Sequence, residues 1–132
     1  MTIQQQIASA AEALAVEAKK INDRVDEVDD FLSGQAVKVE AWFNIYTTYT
    51  VGTYQISSVT HLLGFRRFGD SWQMALAPAV GTAEDTQYAK PLGQCKLPDR
   101  ILACQHLDAF LVVYYEALMA QQTRCTEVLG EK

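Results

Sequence analysis

Apolar residues in the first quarter of the chain follow a helical seam. Ile7, Ala11, Leu14, Ala18, Ile21, Val25, Val28 and Leu32 are separated alternately by four and three positions, the spacing that keeps side chains on one face of a helix. No glycine or proline interrupts residues 2–33, and Gly34 stands where a left-handed cap would end the helix. The pattern predicts one helix over 1–34, about 45 Å long at ~1.5 Å per residue. Asp23, Asp26, Glu27, Asp29 and Asp30 crowd its second half, where negative charge opposes the helix dipole. Tertiary packing of the seam must therefore hold that end, with Ile21 and Val25 buried.

The period changes to two after Gly34. Val37, Val39, Ala41, Phe43, Ile45, Thr47 and Tyr49 alternate with Lys38, Glu40, Trp42, Asn44, Tyr46 and Thr48, and Trp72, Met74, Leu76 and Val80 repeat the alternation later. Gly69-Asp70 suits a two-residue hairpin loop with glycine first, which pairs Arg67 with Trp72, Phe65 with Met74 and Leu63 with Leu76. For the earlier hairpin, a Val51-Gly52 loop would force Val51 to positive φ and put Phe43 on the wrong face. A three-residue loop, Thr50-Val51-Gly52, removes both objections. It pairs Phe43 with Val59, Val39 with Leu63 and Val37 with Phe65, so Phe43 and Phe65 share the apolar face.

A second long helix is predicted over 98–129. Pro98 suits its first turn, and Ile101, Leu107, Phe110, Leu111, Tyr114, Leu118 and Cys125 mark the buried stripe. The segment 81–97 between sheet and helix is long for a loop, so it is either functional or hides a short element. The resulting expectation is a single α+β domain in the order α-β-β-β-α: a long N-terminal helix (1–34), a three-stranded antiparallel meander (37–80), a long loop (81–97) and a long C-terminal helix (98–129).

Composition narrows the function classes. The chain has 132 residues, of which 49% are hydrophobic and 20% charged, enough apolar material for one core and against disorder. Its net charge is −5, with seven acids against three bases over 1–34, which argues against nucleic acid as a partner. No apolar run approaches the ~18 residues of a membrane span, and the first residues lack a secretory signal's plan, so a cytoplasmic location without membrane contact is expected. Three cysteines in a chain with ample core do not suggest a disulfide framework.

Candidate chemistry is sparse. Cys95, Cys104, His106 and Cys125 lack the close pairs that structural zinc requires, so no metal or other cofactor is expected. No nucleophile elbow, phosphate-binding loop or metalloprotease motif occurs, and no catalytic residue is assigned. His61, Arg66, Arg67, Asp70 and Trp72 gather near the second hairpin, where Arg67 facing Trp72 reads as a structural cation–π pair. The more informative feature is the sheet face opposite the core, expected to carry Trp42, Tyr46, Tyr54, Ile56 and Leu62 beside Ala75, Ala77 and Ala79. Large aromatics beside small side chains suit a covered surface. One of the protein's own helices could cover it, or a partner, or a small ligand.

The function expected from the sequence is a non-enzymatic interaction protein. It would form a homo-oligomer, a dimer favoured, through the seam of Leu14, Ile21, Val25 and Val28 or through the sheet, and another protein could also be its target. The alternative is a binder of a small apolar ligand, with a pocket between sheet and helices lined by Trp42, Tyr46, Tyr114 and Tyr115.

Overall fold

The computed structural model describes residues 2–79 and 83–130, and the side chains of all of these except 83–85. Val80, expected as the last core position of the third strand, lies outside the described residues. The order is α1 (Ile3–Ser33), β1 (Ala41–Val51), β2 (Tyr54–Phe68), β3 (Ser71–Pro78), a 3-10 turn over Ala83–Tyr88, β4 (Lys90–Pro91), a second 3-10 turn over Leu92–Gln94, α2 (Leu97–Gln105) and α3 (Leu107–Leu129). The class is α+β as expected, with an antiparallel sheet in the order β1-β2-β3-β4. The fourth strand comes from the segment 81–97, which holds short elements rather than a plain loop.

A reciprocal capping box starts α1. The Thr2 hydroxyl accepts the Gln5 N–H at 3.1 Å and the Gln5 side chain accepts the Thr2 N–H at 2.8 Å. Only the second half of the seam packs on the body: Val25, Val28 and Leu32 are buried, Ile21 is half-buried, and Leu14 is exposed. Gly34 follows the last turn, but at φ −80°, so the expected left-handed cap is not formed.

An acid in this half does the tethering that the dipole argument asked for. One Asp29 carboxylate oxygen accepts the Met74 N–H at 2.9 Å, and the Ser33 hydroxyl donates to the Trp72 carbonyl at 2.9 Å, joining α1 to the edge of β3. Burial pushes the Asp29 carboxyl above its ordinary 3.8, and Asp30 and Asp26 push the same way against the hydrogen bonds from Met74 and Ser33. The folded chain thus takes up this proton more readily than the unfolded one. Its contribution to stability is fullest below pH 3.8 and declines as pH rises through the folded value. Asp29→Asn keeps an acceptor without the charge, so it should melt higher than the parent at pH 7, with the difference closing at low pH. A lower melting temperature for the variant at pH 7 would mean that the ionised carboxylate is the stabilising form.

The second hairpin has the expected register: Arg67 faces Trp72, Phe65 faces Met74 and Leu63 faces Leu76 across a Gly69-Asp70 turn, with Gly69 at φ 61°. The first hairpin differs. Its loop is Gly52-Thr53, closed by Val51 and Tyr54, with Gly52 at φ 62°. Phe43 faces Leu63 and Ala41 faces Phe65, in place of the expected Phe43–Val59 and Val37–Phe65 pairs. Residues 37–40 precede the strand. Phe43 and Phe65 do share a face, but the parity is corrected by a bulge rather than by the loop. Ile45 pairs with His61 while Tyr46 pairs with Val59, which leaves Thr60 as the extra residue. Thr60 is well held: its carbonyl accepts the Ala79 N–H at 3.0 Å and its hydroxyl bonds that of Thr47 at 2.9 Å.

The expected single C-terminal helix is bent by 62° at His106 into α2 and α3. Each piece meets a different neighbour, α2 packing on α1 and α3 on β1. The bend lets Ala103 on one side and Leu107, Phe110 and Tyr114 on the other enter the same core as Leu32, Ile45, Leu63, Phe65 and Met74. Among the described residues no single helix is long and apolar enough to cross a membrane.

Candidate functional surfaces

The face of the sheet away from the helices is closed over its middle by the chain itself. The Trp42 indole lies flat across Gly64, its cross-strand partner, where any Cβ would overlap the ring, and Trp42 Nε1 donates to the Glu40 carboxylate at 3.0 Å. The 3-10 turn Ala83–Tyr88 packs on β3, and Arg66 Nη1 donates to the Thr86 carbonyl at 3.1 Å. Leu62, Ala75 and Ala77 are buried on this side. The cover is therefore a short 3-10 helix from the 81–97 segment together with an indole, and not one of the long helices. A glycine inside an otherwise regular strand was the sequence signal for this close approach.

Of the residues expected on that face, the bulge redistributes two. Tyr54 pairs with Val51 and Ile56 with Tyr49, so both fall on the face that carries Ile45, while Tyr46 stays with Trp42. Tyr114 lies on the helix side, edge-on to Phe65 with ring centroids 5.6 Å apart, and its hydroxyl accepts the Val39 N–H at 3.3 Å. Trp42 and Tyr114 are thus on opposite faces of the sheet and cannot line one pocket. Tyr115 is exposed on α3. Arg67 does face Trp72, but its guanidinium turns to the Gly69 carbonyl at 2.6 Å and to Asp70. Trp72 stacks on Phe65, and the cation–π contact is made by Arg66 over Phe68.

One cleft, about 430 Å³, gathers His61, Tyr88, Lys90, Cys95 and Asp99 beside the end of β3. Two of its polar groups, the Cys95 thiol and the His61 ring, are hydrogen-bonded within the chain. Burial, with Asp99 adding to it, pushes the Cys95 thiol up from its ordinary value, and the thiol donates to the Pro91 carbonyl at 3.5 Å. A protonated thiol is a poor nucleophile. His61 Nδ1 bonds the neighbouring Thr60 hydroxyl at 3.1 Å. The cleft therefore holds a hydrogen-bonded thiol and a hydrogen-bonded imidazole, without the nucleophile–base pairing that covalent catalysis needs. Among the described residues no group of three metal-ligating side chains converges.

What the structure leaves open is a set of projecting segments. Residues 2–17 of α1 are exposed throughout, including Ile3, Ile7 (62%), Leu14 (55%) and Val16. Beyond the Ile45–His61 pair, β1 and β2 continue without β3 as a two-stranded ribbon that exposes Tyr46, Tyr49, Val51, Tyr54 and Ile56. Comparison with protein-family models, curated proteins and solved structures finds no match for this chain.

Proposed function

We propose that this protein is a non-enzymatic assembly protein of the cytoplasm, and that the N-terminal half of α1 pairs with the same segment of a second copy. The observation that carries the reading is the continuity of the α1 seam. The stripe that buries Val25, Val28 and Leu32 against the body runs on, in the same register, through half-buried Ile21 to Leu14 and Ile7, which no described residue buries. A projecting helix of this length is marginal in water without a packed face. The small residues Ala8, Ala11, Ala15 and Ala18 beside Ile7 and Leu14 allow another helix to approach closely. Only Glu12 is charged between residues 2 and 16, so two copies meet there without the like-charge repulsion that their acidic second halves would produce. The same neutrality leaves few charges to select a different partner.

Multi-angle light scattering tests the reading. The parent should run above 14.7 kDa, and Ile7→Asp with Leu14→Asp should lower the mass by at least half while leaving the melt of the body intact, because both side chains lie outside its core. An unchanged mass in that double variant would remove α1 as the pairing surface.

A further inference from the structure

The two edges of the sheet are treated differently by the sequence. The edge at β4 is two residues long and ends in Pro91, which has no N–H to offer. Short strands and prolines are the usual protection of an edge. The edge at β1 has none of it. β1 runs for eleven residues, Ala41–Val51, and among the described residues it pairs with β2 on one side only. No Asp, Glu, Lys or Arg occurs between Glu40 and Arg66, and no proline either. Its residues Ile45, Tyr46, Thr47, Thr48, Tyr49, Thr50 and Val51 are the β-branched and aromatic types that favour strand pairing. Past Ile45 and His61 this edge belongs to a two-stranded ribbon with most side chains exposed on both faces, an arrangement barely stable alone.

We propose that the open edge of β1 is a second self-association surface, pairing antiparallel with β1 of another copy about a two-fold axis. A second copy is the occupant that fits, because a strand edge turned about such an axis meets its own donors and acceptors in complementary order. It also fits because a neutral surface lets a chain of net charge −5 meet itself without repulsion. The proposal rests on the reading of this chain as an assembly protein but not on α1. Two self-complementary surfaces on one chain would join each copy to two others, so the assembly exceeds a dimer, closing or extending according to geometry.

A two-by-two comparison of masses by light scattering tests it. The ribbon of β1 and β2, the arm of the domain, is altered by Tyr46→Lys with Thr50→Lys, exposed positions that leave the core and turns intact, and α1 by Ile7→Asp with Leu14→Asp. Circular dichroism melts confirm that each variant folds. The expected result is a parent larger than a dimer, with each altered pair alone giving a dimer. Both pairs together should give a monomer of 14.7 kDa. If the arm variant keeps the parent mass and the α1 variant alone is monomeric, the β1 proposal is overturned while the helix reading stands. If the arm variant alone is monomeric, β1 pairing stands and the helix reading goes. A monomeric parent refutes both.

Discussion

Phe65→Ala is expected to lower the unfolding free energy by about 3–5 kcal/mol, the range for removing a large buried aromatic ring. Phe65 is fully buried, stacks on Trp72 with ring centroids 5.5 Å apart and meets Tyr114 edge-on at 5.6 Å. It also faces Ala41 on one side and Met74 on the other. Its ring is therefore the point where α3, β1, β2 and β3 share one core, and the small neighbour Ala41 cannot expand to fill the cavity. Urea unfolding followed by circular dichroism measures the loss. A cost below about 1 kcal/mol, the size of a minor core adjustment, would mean that the helix and sheet layers do not share that core.

Gly64→Ala is expected to cost about 1–3 kcal/mol from overpacking. A methyl group there enters the space of the Trp42 indole, which must swing away and abandon both the strand and the Glu40 carboxylate. The cost is conditional on that ring. In Trp42→Ala the same glycine substitution should be close to neutral, so a double-mutant cycle should show strong coupling between the two sites. Additive effects would place the indole elsewhere.

How far the sequence could be read follows from which physical signals are local. The Gly69-Asp70 turn carries its own geometry, so the register from Arg67–Trp72 to Leu63–Leu76 was legible. The face shared by Phe43 and Phe65 was legible too, because two independent hairpins had to agree on it. The device that achieves the agreement was not. Thr60 is an ordinary strand residue, and its bulge is held by the distant Ala79 N–H and by Thr47, neither of which has a signature near residue 60. Tyr54 and Ile56 were placed on the wrong face for that reason alone. The break at His106 is equally silent, since no glycine or proline marks it and the cause is that α2 and α3 serve different neighbours.

The candidate surfaces divide in the same way. Heptad spacing gave α1, but spacing cannot say where the body ends and the projecting half begins. The exposed Ile7 and Leu14 and the buried Val28 read alike in the sequence. Trp42 and Leu62 read as available, but Trp42 is half-buried over Gly64 and Leu62 is buried under the chain's own cover. The ribbon beyond Ile45 became visible only when the length of β3 was known, because β3 stops at Pro78, opposite His61.

Hydrogen exchange along α1 tests self-assembly through the projecting helix most directly. Amides from Ile7 to Glu17 have helical hydrogen bonds but lie on a stretch exposed throughout in a single copy, so in an isolated chain they should open locally and exchange quickly. In an assembled chain they should exchange slowly, and the slowing should grow with protein concentration while amides around Phe65 stay constant. Fast exchange at residues 7–17 that is the same in dilute and concentrated solution would contradict the account.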